Sequence, residues 1–219
     1  MRQMGAMAAH PSLKEIAYDL IRRKILNHEF EPGSRIREDL LASELSMSRT
    51  PVREAINQLV AEGLIVNKPR IGLFFVELTK EDMIDILNVR EGLEIMAIEE
   101  CINKKKTKET EKIDSVLVDF EKTFTESDFQ EHYRIDSLFH KAIAELSGNR
   151  KLIEFIHEVE DLMRIIRGLK SPDFSDNKKR RSIELHRKIV ECIKKGDKAG
   201  ARSALQTIIQ GTKKQLQLS

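Results

Sequence analysis

Apolar residues recur at helical spacing along nearly the whole chain, and the one stretch where that period fails leaves few architectures open. Leu13, Ile16, Ala17, Leu20 and Ile21 mark one face of a first helix, with Ser12 as N-cap and Glu15 three residues later completing a capping box. The helix should end near His28, because Pro32 lacks an amide donor and Gly33 accepts turn dihedrals. A second, short helix is expected from Arg37 to Leu45, with Leu40, Leu41 and Leu45 inward. A third follows the turn Ser46-Met47-Ser48 and spans Thr50 to Glu62, with Pro51 in the first turn, where its missing amide hydrogen costs nothing. Gly63 closes it. The helical period then gives way to two short strands, Leu64-Ile65-Val66 and Leu73-Phe74-Phe75-Val76, around a cationic tip from Lys68 to Gly72.

Beyond Thr79 the period is helical to the end, through Met83, Leu87, Phe120, Phe124, Phe139 and Ile143. Further helices are expected over about Lys151–Leu169, Asn177–Lys195 and Asp197–Gln215, with a loop at Ser171–Asp176. The expected fold class is therefore mainly α: an N-terminal winged helix-turn-helix of three helices and a β-hairpin, followed by an all-helical bundle. Residues 1–10 lack periodicity and caps and read as a flexible arm, 11–78 as the winged unit and 79–219 as the bundle, with 78–82 as a hinge. A length of 219 residues suffices for two modest cores.

A formal net charge of +2 excludes a general attraction to nucleic acid or acidic membrane, so any such binding must come from placed cations. The part up to Glu77 carries eleven Lys/Arg against ten Asp/Glu, which leads to the same conclusion. Cys101 and Cys192 lie far apart in apolar helical stretches and read as reduced packing residues rather than a disulfide framework. No apolar run approaches the ~20 residues that span a bilayer, and Met1–His10 lacks the core of a secretory signal, so a cytoplasmic chain is expected.

Ser48-Arg49-Thr50-Pro51-Val52-Arg53 puts Arg49 and Arg53 four residues apart on one face at the start of the third helix, with Val52 and Ile56 opposite. Base edges are read by that first turn when a helix enters the major groove, and an arginine there can grip guanine or clamp a phosphate. Arg70 and Gly72 at the hairpin tip can reach the neighbouring groove, glycine permitting close approach. Taken singly, each arginine also fits an ordinary solvated cation; together they point to double-stranded DNA.

The run from Pro32 to Glu77, and above all SRTPVREA followed by LVAEGL, resembles the DNA-binding domain of the GntR family of bacterial regulators over residues 12–77. The resemblance implies DNA contacts for Ser48, Arg49, Thr50 and Arg53, and for Arg70 and Gly72 on the wing. It also implies a cation near position 39, where this chain has Asp39. Residues 80–217 resemble the FCD effector domain of the FadR-like branch through VREGLE, DSLFH with SGN, and ELH followed by KKGD. In many such domains the aspartate and histidine of DxxxH, the histidine of ELH and one further histidine bind a divalent metal. Here these are Asp136, His140 and His186, while the fourth position is Ile208, which cannot ligate.

Asp136 and His140 stand one helical turn apart on one face, so both can reach a single ion of zinc, nickel or manganese. The alternative is a metal-free Asp136–His140 hydrogen bond. His132 lies about 12 Å from His140 along the helix and, like His157, reads as a non-ligand. The expected effector is a small organic acid, with Arg90 either its fork-shaped partner or a structural ion pair with Glu94. A homodimer on a palindromic operator is the expected working form, with no membrane partner and no enzymatic activity. The rival functions are a metal-dependent hydrolase at Asp136, His140 and His186, and a helix-turn-helix used only for protein association.

Overall fold

The computed structural model of the chain describes residues 11–104, 109–123, 129–168 and 176–218, which form two compact units divided between Glu77 and Leu78. The arm at 1–10, Phe124 and residues 171–175 of the expected Ser171–Asp176 loop lie outside the described residues, and Asp176 is the first residue of a helix.

In the first unit α1 (Leu13–Leu26), α2 (Glu38–Glu44) and α3 (Arg49–Ala61) pack around Ala17, Ile21, Leu41, Val52, Ile56 and Leu59, all buried. The expected capping box is present: Ser12 Oγ accepts from the Glu15 amide at 3.2 Å and the Glu15 carboxylate accepts from the Ser12 amide at 2.7 Å. Leu40, expected inward, is exposed; in a helix of seven residues only Leu41 and Ala42 face the core.

The sheet has three strands, β1 (Arg35–Ile36), β2 (Ile65–Lys68) and β3 (Gly72–Phe75), in the antiparallel order β1-β3-β2. Arg35 pairs with Phe74 and Val66 pairs with the same residue from the other side. The pattern of the sequence misses β1, since two residues cannot display alternation. Phe30 stacks on Phe75 with ring centroids 4.1 Å apart, fixing the wing to the loop after α1.

The second unit contains α4 (Lys80–Asn103), α5 (Glu111–Lys122), α6 (Phe129–Ser147), α7 (Arg150–Gly168), α8 (Asp176–Lys195) and α9 (Lys198–Leu218). Thr79 caps α4, its Oγ1 accepting from the Asp82 amide at 3.1 Å while the Asp82 carboxylate accepts from the Thr79 amide at 2.8 Å. Residues 80–82 are thus the first turn of a helix rather than part of a hinge. Leu87, Ala97, Phe139, Ile143, Met163, Ile189, Leu205 and Ile209 build the core, with both cysteines reduced and buried. Among the described residues no helix is long and apolar enough to cross a membrane.

Candidate functional site

Three buried residues, Pro51, Val52 and Ala55, anchor the start of α3, and this packing leaves Ser48, Arg49, Thr50 and Arg53 exposed on its other side. Ser48 is the N-cap and makes no side-chain capping bond. Arg53 is held in place: its Nε and one terminal nitrogen each lie 2.9 Å from Glu38 at the start of α2, while most of the side chain stays in solvent. Asp39 is paired with Arg37 at 3.1 Å, so both acids at the start of α2 have their charge answered within the unit. At the wing, Pro69 and Arg70 are the central residues of a turn closed by the Ile71 amide on the Lys68 carbonyl. Arg70 sits there at φ 64, a left-handed conformation that favours glycine. Gly72 has φ 135, and a Cβ on it would stand 3.1 Å from the Arg35 guanidinium.

The second constellation lies inside the bundle. Asp136 and His140 from α6 meet His186 from α8, all three buried, with one ligand atom from each within 4.8 Å of the others. His140 Nδ1 lies 2.5 Å from Glu94 of α4, and His186 Nδ1 lies 2.7 Å from the Ser182 carbonyl. Both acceptors are oxygens without a proton to give, so each Nδ1 donates and each Nε2 is left facing the other members of the triad. The two Nε2 atoms are 3.2 Å apart, and Asp136 Oδ1 is 3.2 Å from that of His186. Two imidazole nitrogens and a carboxylate oxygen converging in a buried site suit a cation among them, either a shared proton or a metal ion.

Glu94 also accepts from Arg90 Nε at 2.5 Å, and Glu160 of α7 lies 2.8 Å from the same nitrogen. Burial alone would push the Glu94 carboxyl up, but the Arg90 and His140 charges outweigh it and hold Glu94 well below the usual carboxylate range. Sequence left Arg90 open between effector partner and structural pair; it is 1% exposed, its Nε lies between the Glu94 and Glu160 carboxylates, and its two terminal nitrogens have no hydrogen-bond partner among the described residues.

A cavity of about 370 Å³ opens beside Asp136, walled by α6, α8 and α9, with Tyr133, Leu185, Thr207 and Ile208 on its surface. His132, on the same wall, bonds to Thr123 Oγ1 through Nδ1 at 2.8 Å and is not part of the Asp136 cluster.

Two family models match: "Bacterial regulatory proteins, gntR family" over residues 13–75 and "FCD domain" over residues 85–211. The chain belongs to the GntR family. It is a transcription regulator, with a DNA-binding winged helix and an FCD effector domain. Over 186 residues this GntR protein is 31% identical to the uncharacterized HTH-type transcriptional regulator YdhC of Bacillus subtilis, spanning 84% of this chain and 82% of that one. It is 26% identical over 205 residues to the transcriptional regulator McbR of Escherichia coli, covering 90% and 92% of the two chains. The solved structure of E. coli McbR/YncC has the same fold, with a TM-score of 0.79 over 95% of this chain and 99% of that chain, at 24% identity.

Within this GntR regulator the FCD-like pieces divide by role. Ser147-Gly148-Asn149 is scaffold: Asn149 caps α7 through its Oδ1 on the Leu152 amide and donates to Glu100 of α4. The DSLFH and ELH pieces supply the buried triad, and VREGLE supplies Arg90 and Glu94. Sequence reading did not find the Glu94–His140 contact, because the two residues are 46 positions apart and only the α4·α6 packing joins them.

Proposed function

We propose that this regulator binds a palindromic operator in double-stranded DNA as a homodimer in the cytoplasm, and senses a small organic acid at a divalent metal held by Asp136, His140 and His186. The exposed first turn of α3, seated on a buried apolar face, carries the reading. Ser48, Arg49, Thr50 and Arg53 meet the major groove there, and Arg70 and Gly72 bring the wing to the adjacent backbone or groove. Glu38 orients Arg53 before DNA arrives and yields to phosphate or base on binding. Replacing Arg49 or Arg53 by Ala should weaken specific operator binding about fivefold to 150-fold, the loss of about 1–3 kcal/mol expected for an arginine on guanine, with unfolding unchanged. Undiminished operator retention in a gel shift rejects the reading.

Two imidazole nitrogens and one carboxylate suit zinc, nickel or manganese, and with Ile208 in place of a fourth ligand there is room for an effector oxygen. When bound, the metal would supply a fixed positive charge for that oxygen. Glu94 and the Ser182 carbonyl orient the two imidazoles, and Arg90 balances the buried carboxylates. The effector then shifts the population of DNA-competent dimers by its difference in affinity between the two states. Elemental analysis of protein soaked with zinc, nickel or manganese should find about one ion per chain, lost in D136A; no ion after soaking removes the metal from this account. Glu94 is committed to His140 and Arg90, which favours sensing over a hydrolytic centre with a spare base.

A further inference from the structure

The cavity beside Asp136 is unevenly charged. Asp136 is the one acid on its wall among the described residues, whereas Arg181 and Lys214 line it too and make no ion pair or hydrogen bond with any described residue. Their place follows from helix geometry. On α8, Arg181 precedes His186 by five residues, about 7.5 Å of rise; on α9, Lys214 follows Ile208 by six, about 9 Å. Both cations also line a second hollow of about 530 Å³ in which Asp136 has no part, while Asp136 is the member of the triad that reaches the wall of the first cavity. Lys178 and Lys179 line the same cavity, have further partners and add to the positive field.

Gly211 of α9 faces this space, and a Cβ built on it meets nothing within 4 Å. A glycine inside a helix disfavours the helix, yet no neighbouring atom requires it. Its effect is to leave volume between the triad and the two cations.

We propose that the effector is an elongated anion with an acidic group at each end, one met at the Asp136/His140/His186 centre and the other, about 7.5–9 Å away along the helices, at Arg181 and Lys214. This rests on the effector reading above and narrows it to a two-ended acid. The second group is a carboxylate or a phosphate, both of which a guanidinium and an ammonium bind.

The test is calorimetric titration of the zinc-soaked full chain with three acids of one chain length: hexanoate, adipate and 5-phosphonopentanoate. The expected result is that one or both two-ended acids bind at least tenfold tighter than hexanoate. Adipate binding tighter points to a dicarboxylate, and the phosphonate binding tighter to a phosphorylated acid. The preference should vanish in R181A/K214A, whose two positions lie on the surface of stable helices, and G211L should weaken all three acids by filling the space. Equal binding of the three overturns the second anchor and leaves the organic-acid reading standing. Binding of none overturns both, and a preference that survives in R181A/K214A overturns the assignment to these two residues.

Discussion

Arg70 holds a backbone conformation that glycine would adopt freely and that costs an ordinary side chain about 1–2 kcal/mol. Strain of this kind persists where the side chain is wanted outside the fold, and the guanidinium at the wing tip is exposed. Arg70→Gly should therefore unfold at equal or slightly higher urea concentration than the parent, yet bind operator DNA more weakly. A variant that lost stability as well would show that Arg70 is a folding residue. Arg90 is the opposite case, a buried arginine whose Nε stands beside two carboxylates. Arg90→Met removes the counter-charge of two buried carboxylates and should cost about 3–5 kcal/mol in the unfolding of the helical unit, because a buried pair broken on one side leaves an uncompensated ion. Adding E94Q and E160Q to the same chain should recover part of the loss, measured by urea titration followed by circular dichroism.

At the scale of elements, α4 joins several duties. Its first turn is closed by the Thr79–Asp82 box, and hydrogen bonds from the Thr79 hydroxyl and amide hold the Asp82 carboxyl below the ordinary aspartate range. A depressed folded value means that the contribution is complete above the unfolded aspartate value and is lost as pH falls through the folded one. Amide exchange protection in the first turn of α4 should accordingly survive to a lower pH than a free aspartate would allow, and Thr79→Ala should move that loss upward. Further along, the inward face carries Arg90 and Glu94, while Val89, Gly92 and Met96 form an exposed strip at three- and four-residue spacing. Val89 and Met96 are therefore apolar positions that no described residue of the same unit covers, which is why the amphipathic pattern of the helix is weak although its core positions are clear.

For the whole molecule, that strip is the support for the proposed dimer. A helix face with Val89 and Met96 each about half exposed across a small residue suits close approach of a second copy. Val89→Glu with Met96→Glu should yield a monomer by analytical ultracentrifugation and, since two recognition helices are needed to span a palindrome, a loss of operator affinity with the winged unit still folded. Stripping metal with a chelator should lower the thermal midpoint of a zinc-soaked sample through the helical unit alone, as linkage requires of any ion bound only by the folded state.

The order of elements followed from local physics. Ser12 with Glu15, Pro51 in a first turn and the switch of period at Leu64 each act within a few residues, so the winged unit, its exposed Arg49–Arg53 face and most helix boundaries could be read along the chain. Asp136 and His140, one turn apart, were legible for the same reason. What spacing cannot carry is which helix lies against which. The two Nε2 atoms facing each other, the Glu94 carboxylate behind His140, the second carboxylate on Arg90 and the cations that line the cavity with Asp136 arise only when α4, α6, α7, α8 and α9 pack together. Side chains tens of residues apart meet by burial of apolar faces, and that burial is indifferent to the polar chemistry it brings into contact.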